Sequence, residues 1–284
     1  MKLNDNEYLP EPKVSNQKIM CMVLTTERNI LERGIAVWET WGRQINNIVF
    51  ACNCPRVMAV KSFIEKKKEI PKFLEKFREA ADFPILNIDI EESSENMGEK
   101  VLKVLKRSYK IYKNYSNFYY MVDDDSYVFV DNLYKYIQTL DKSLPHMYGF
   151  KYKHLPLPGG HIHGGSGIVF TEESMKRLVN KISNNECDIH IDKYGDVTVG
   201  GCAYSVGIQL IDSRDKKGRP RFHLYDPYVH FNGPIPSFLY VYGTHNTKIG
   251  KECCSLETIA FHYVKVELMY EIHKNPAFLE SLLT

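Results

Sequence analysis

Short unbroken apolar runs alternate, through the first half of the chain, with longer stretches in which apolar residues recur every three or four positions. IMCMVLTT (Ile19 to Thr26), IVFAC (Ile48 to Cys52), PILNIDI (Pro84 to Ile90) and FYYMV (Phe118 to Val122) have the length and the β-branched or aromatic content of strands buried on both faces. Between them, Ile30, Leu31, Ile35, Val37, Trp38 and Trp41 follow helical spacing behind Asn29 as a cap. Ile70, Phe73, Leu74 and Phe77 mark an amphipathic helix within Lys61 to Ala81, whose lysines and glutamates read as a solvated face. Val101, Leu105, Tyr109 and Tyr112 mark a long helix from Glu95 to about Tyr115. Strands and helices in this order predict an α/β fold with right-handed crossovers and a mainly parallel sheet. Ligands then gather beyond the carboxyl ends of its strands.

From about Lys151 the chain changes in kind, becoming rich in glycine, proline and aromatic residues. One clear helix stands out, with Thr171 as N-cap and Met175, Leu178, Val179 and Ile182 on its apolar side. No linker separates the halves. We therefore read a polar leader, residues 1–17, and one domain, residues 18–284, whose second half builds over the end of the sheet.

Composition narrows the function classes. Hydrophobic residues at 44% and charged residues at 25% exclude a disordered or fibrous chain. Lysine plus arginine (37) against aspartate plus glutamate (35) leaves +2, too balanced for affinity built on neutralising phosphates, so nucleic acid is not an expected partner. No apolar run reaches the roughly eighteen residues of a membrane span, and residues 1–20 carry no signal-peptide core. GxGxxG after the first strand and GxxxxGK[ST] are both missing, which removes ordinary dinucleotide and P-loop readings. Cys21, Cys52, Cys54, Cys187, Cys202, Cys253 and Cys254 form no CxxC pair, so a structural zinc site is not expected. Count alone leaves reduced thiols and disulfides open. The sequon Asn114-Tyr115-Ser116 is compatible with secretion.

The chemistry is expected where the fourth strand ends, at Asp123-Asp124-Asp125. In an extended backbone Asp123 and Asp125 project to one side, and two carboxylates forced together repel unless a proton or a divalent cation neutralises them. Oxygen ligands of this kind suit magnesium, manganese or calcium. A solvated acidic turn is the alternative. It is the poorer reading for a triplet at the mouth of a buried strand, between MV and YVFV.

The strand ending in DDD and continuing SYVFVDNL, then GGSGIVFT, then GDVTVGGC, resembles the fringe-type β1,3-glycosyltransferases, closest to the core 1 β1,3-galactosyltransferase group. WETW, GGSGIVFTEESMKRLV, the cysteines at 187 and 202, SRD…RFH and KECCSLETIAFHYVKVELMYEI extend the resemblance from about Lys18 to Glu271. It implies a GT-A fold, a UDP-sugar donor (UDP-galactose first), manganese (Mn2+), and inverting transfer to the 3-hydroxyl of O-linked GalNAc on a glycoprotein. It also implies residues 18–150 as the nucleotide-binding half and 151–284 as the acceptor-binding half. The triplet matches the family's DxD element, with Asp123 and Asp125 on the metal and Asp123 and Asp124 on the donor. His223, in RFHLYDP, matches the downstream metal-ligand histidine. Thr25, Thr26 and Arg28 fall where the nucleotide is contacted, and Gly164, Gly165 and Gly167 match the glycine-rich segment lining the cleft. Asp196 matches the catalytic base; capping a helix that begins at Val197 is the plainer role for it. Trp41 fills the core or packs under the nucleotide loop.

The same resemblance pairs Cys187 with Cys202 and Cys253 with Cys254, and places the chain in the Golgi lumen or elsewhere in the secretory pathway, with a homodimer as an option. Cys21 is left with Cys52, Cys54 or no partner, and an odd total leaves at least one thiol unpaired within the chain. Two departures matter. Ile45 stands where relatives carry a cysteine, and Leu239 and Val241 stand where acceptor-stacking tryptophans are expected, leaving Tyr240 and Tyr242 for the acceptor. A fringe-like transferase with UDP-GlcNAc or another donor is the second reading. A silent, chaperone-like family member is the third.

Overall fold

The computed structural model describes residues 12–13, 16, 18–65, 84–153, 157–189 and 192–283. The polar leader lies almost wholly outside them. So does most of the helix expected over Lys61 to Ala81; what is described there is a helix Pro55–Glu65, which opens on a proline.

The strands are β1 (Ile19–Leu24), β2 (Asn47–Cys52), β3 (Ile85–Asn87), β4 (Phe118–Asp123), β5 (Tyr127–Val128), β6 (His146–Gly149), β7 (Lys151–Tyr152), β8 (His161–Ile162), β9 (Ile168–Thr171), β10 (Gln209–Asp212), β11 (Phe222–His223) and β12 (Ala260–Phe261). The main sheet runs β10-β6-β9-β4-β1-β2-β3. β1 pairs parallel with β2 and β4, β2 with β3, and β6 with β10; β9 alone runs against both its neighbours, β4 and β6. This is the mainly parallel α/β sheet that the alternating runs predict. The second half does more than cover its end, because β9 and β10 are strands of the sheet itself.

Alternation along the buried strands feeds two cores. Cys21, Val23, Phe50, Tyr120 and Val122 face one layer, and Met20, Met22, Val49, Tyr119 and Met121 the other. The second layer is closed by the helices Met97–Tyr112, Glu172–Ser183 and Gly195–Ser205. The first is closed by the segment 30–39, the helix Val130–Ile137 and the helix Val266–Lys274. Thr171 caps its helix as expected, accepting from the Ser174 N–H. Asn29 does not cap the first one. The Thr26 side chain accepts from the Asn29 N–H instead, and a π-helical turn, Ile30–Gly34, precedes the helix Ile35–Glu39. Trp41 is fully buried, and its indole N–H donates to the Ser126 carbonyl at 3.0 Å, so it fills the core and also supports the loop that follows the acid triplet.

A small sheet, β11-β12-β5, stands beyond the acid turn. β11 and β12 are parallel with His223 opposite Phe261, which sets these two side chains on one face and His262, the next residue, on the other. Cysteines 52 and 54, 187 and 202, and 253 and 254 are joined as disulfides, and Cys21 is a buried free thiol.

Candidate active site

β4 delivers Asp123 to the rim of the sheet, and the chain then turns through Asp124 and Asp125 rather than continuing extended. The convergence expected of Asp123 and Asp125 is nonetheless realised, through a different partner. His262 Nε2 lies 3.0 Å from Asp125 Oδ1 and 3.6 Å from Asp123 Oδ2. One ligand atom from each of Asp123, Asp125 and His262 falls within 4.8 Å of the others.

His223, the ligand expected from sequence, is not in this cluster. Its Nε2 pairs with Thr258 Oγ1 at 3.1 Å, and its ring stacks on Phe261. The chain holds two Phe-His dipeptides on adjacent strands, and the one-residue offset in register turns His223 inward and His262 toward the carboxylates. Burial drives the His223 pKa well below the usual imidazole range, with His230 and His245 adding to it.

Asp124 has a separate task. Thr25 Oγ1 donates to its Oδ2 at 2.6 Å, and Arg33 Nη1 reaches its Oδ1 at 3.2 Å and Asp125 Oδ2 at 3.3 Å. Thr25 is thus an anchor for the triplet, Thr26 precedes the turn 27–29 that leads into the helical segment, and Arg28 is exposed on that turn. The Thr25 carbonyl in turn accepts from the buried Lys100 ammonium, which also pairs with Glu92.

The balance of charge is unequal. Burial and the neighbouring Asp125, Asp124 and Asp196 push Asp123 up to about 7, with His262 opposing. Burial also works against ionising Asp125, but His262 and Arg33 outweigh it and hold its pKa below the usual carboxylate range. His262 is raised: desolvation favours its neutral form, and the two carboxylates overcome this. His262 Nδ1 is buried without a hydrogen-bond partner, and the buried Asp125 Oδ1 faces the other ring nitrogen, Nε2, at 3.0 Å. Two carboxylates and an imidazole with an unsatisfied buried nitrogen and excess negative charge fit a divalent cation.

The glycine segment joins this cluster to Asp196. The Gly165 carbonyl accepts from Ser126 Oγ at 2.8 Å and from the Asp123 N–H at 3.3 Å, and a Cβ at residue 165 would run into the His262 ring. The preceding residue, Gly164, donates its N–H to Asp196 Oδ2 at 2.9 Å. Gly167 has φ +103° and lies against Tyr120, whose hydroxyl donates to the Ser166 carbonyl. Asp196 belongs to the first turn of the helix Gly195–Ser205, whose N-cap is Tyr194, so it is not a cap for a helix starting at Val197. Its Oδ1 accepts from the Val197 N–H at 2.9 Å.

Asp196 opens onto a cavity of about 600 Å³ lined by Tyr152, His161, His163, Tyr225, Tyr242 and Tyr263 among others. Of the two tyrosines expected on the acceptor side, Tyr242 lines this cavity and Tyr240 does not; Leu239 is buried and Val241 is 64% exposed. The sequence reading missed Arg33, His161, His163 and His262. His262 alone had a signal, since it stands within the FHYV already tied to the resemblance. No helix among the described residues is long and apolar enough to cross a membrane.

No protein-family model matches the chain. Among characterised proteins it is a distant homologue of glycoprotein-N-acetylgalactosamine 3-beta-galactosyltransferase 1 from Xenopus laevis, 26% identical over 274 residues, 95% of this chain and 69% of that one. It is 24% identical over 170 residues to beta-1,3-glucosyltransferase of Mus musculus, and 25% to that of Homo sapiens. Those matches take in 59% of this chain and about a third, 33% and 32%, of the two relatives. A solved structure of galactosyltransferase LgtC with donor and acceptor sugar analogues aligns over 93% of this chain and 96% of that one, with a TM-score of 0.47 and 10% identity.

Proposed function

We propose that this chain is a metal-dependent, inverting β1,3-glycosyltransferase of GT-A type that moves a hexose from a UDP-sugar to a sugar hydroxyl. UDP-galactose is the first donor to consider, and O-linked GalNAc on serine or threonine of a glycoprotein the first acceptor. One observation carries the reading. Asp123, Asp125 and His262 cluster at one end of a glycine segment whose adjacent residue holds Asp196 at the wall of the cavity.

Asp123, Asp125 and His262 would hold the cation, and Thr25 and Arg33 fix Asp124 beside it. When bound, manganese supplies charge stabilisation for the departing diphosphate. Asp196 takes the acceptor proton as that oxygen attacks the anomeric carbon in line, which inverts the configuration and needs no covalent enzyme intermediate. Its two oxygens are held by the Gly164 and Val197 amides, so the carboxylate stays aimed without rearrangement. The Xenopus relative, named for galactosyl transfer onto N-acetylgalactosamine, supports this donor and acceptor.

A second reading, a different UDP-sugar or acceptor, is favoured by the buried Leu239 and exposed Val241, which leave tyrosines but no indole at the cavity. The acid cluster weighs against a silent chaperone. A place in the secretory pathway agrees with the Cys187–Cys202 and Cys253–Cys254 bridges. The test is nucleotide release with manganese from UDP-Gal, UDP-GlcNAc, UDP-GalNAc and UDP-Glc, with and without a GalNAc-threonine peptide. Acceleration by the peptide with UDP-Gal is expected; release from none of the four donors would refute the enzyme reading.

A further inference from the structure

We infer that His161 is a second catalytic contact for the attacking acceptor hydroxyl, acting beside Asp196; the inference rests on the transferase reading above. His161 Nε2 stands 3.9 Å from Asp196 Oδ2, and both residues line the cavity. That gap is too long for a direct hydrogen bond, yet an oxygen atom entering from the cavity can sit within about 2.8 Å of both atoms.

The fold fixes His161 there from two sides. It pairs across the β7–β8 hairpin with Tyr152, and the two rings lie 5.4 Å apart. On the other side the helix that carries Asp196 passes close by: a Cβ on Gly200 would come within 2.7 Å of the His161 Cβ, so only glycine lets the helix approach. The side chain is 7% exposed, which leaves its ring little freedom to turn away.

With Nε2 protonated, the ring donates to a lone pair of the acceptor oxygen. That leaves the hydroxyl hydrogen directed at Asp196 Oδ2 and another lone pair free for the anomeric carbon. The new carbon–oxygen bond forms as the bond to the diphosphate breaks, the diphosphate leaves with the electron pair, and the proton ends on Asp196. His161 neither gains nor loses a proton.

The test compares the full chain with its His161→Phe and His161→Gln variants. Manganese is present, with the UDP-sugar the wild type uses best and a panel of p-nitrophenyl glycosides as acceptors. Phenylalanine keeps the ring against Tyr152 and removes the donor; glutamine restores an N–H at similar reach. His161→Phe is expected to bind UDP–manganese within about twofold of wild type by calorimetry while kcat for transfer falls about 10- to 100-fold. His161→Gln is expected to recover most of that loss. Should the phenylalanine variant not fold, His161→Leu replaces it. Wild-type kcat in the ring variant, glutamine no better than phenylalanine, or loss of UDP–manganese affinity together with kcat would each overturn the inference. A wild type that releases nucleotide from no UDP-sugar removes the transferase reading itself, and is distinguishable from an active wild type with an unaffected variant.

Discussion

Asp123, Asp124 and Asp125 are neighbours in sequence, yet their carboxylates have different surroundings and therefore different duties. Asp123 and Asp125 meet His262, whereas Asp124 is spent on Thr25 and Arg33. Replacing Asp125 by asparagine removes one charge and one oxygen from the cation cluster. We expect Asp125→Asn to weaken UDP–manganese binding at least tenfold and to abolish turnover, while Asp196→Asn abolishes turnover with donor affinity within about threefold of wild type. Calorimetry on both variants decides; equal donor affinity in the two would end this division of roles. The triplet was legible because a strand mouth is a costly place for unpaired charge, and Asp196 only through the resemblance that GDVTVGGC carries. The histidine was not: two Phe-His dipeptides look alike in sequence, and only the register of β11 on β12 tells them apart. Arg33, 41% exposed, sits in a stretch whose apolar spacing says helix and nothing about the carboxylates across from it.

Helix packing sets where Asp196 stands. The helix Met97–Tyr112 lies against the helix Gly195–Ser205, and a Cβ on Gly98 would meet Thr198 Oγ1 at 2.7 Å and the Ile189 carbonyl at 3.2 Å. Gly98→Ala forces these helices apart, an overpacking cost of about 1–3 kcal/mol. Urea unfolding should show that loss together with reduced kcat, because the displaced helix carries Asp196, the proposed base; an unchanged midpoint would show that the contact relaxes freely. Among elements, the long apolar-striped helices and the four buried strands announced themselves. Gly195–Ser205 entered only as a helix begun at Val197 behind an Asp196 cap, with its start misplaced, since GDVTVGGCAYS combines glycine with β-branched residues and has no apolar face. Val266–Lys274 has the spacing of an amphipathic helix, but it was read only as part of a longer motif.

At the scale of the whole molecule, buried histidines tie stability to acidity. His230 is 2% exposed and accepts from the Tyr225 N–H at 3.2 Å, a bond that requires an unprotonated Nε2, and burial pushes its pKa down to about 4. An unfolded histidine titrates near 6.5, so the unfolded chain binds a proton that the folded one refuses. This stabilisation is complete above about pH 6.5 and is lost progressively as pH falls from there to about 4, by up to about 1.4 kcal/mol per pH unit. Urea midpoints at pH 7.5 and 5.0 should differ accordingly, and His230→Gln should narrow the difference; identical pH slopes in variant and wild type would exclude His230 as a source. The mainly parallel sheet could be foreseen from alternating runs and helices. The way the second half enters it could not, because short strands such as β9 carry no pattern that states their direction.

That direction has a consequence for how such a centre can arise. Parallel strands bring only their endings to the working rim, while a single reversed strand brings its beginning there too, and with it the incoming loop 163–167. Acid turn and Asp196 are thus moored to the same short length of main chain, so a shift in one drags the other. A change of acceptor is more readily accommodated by resculpting the far wall of the cavity than by altering the mooring.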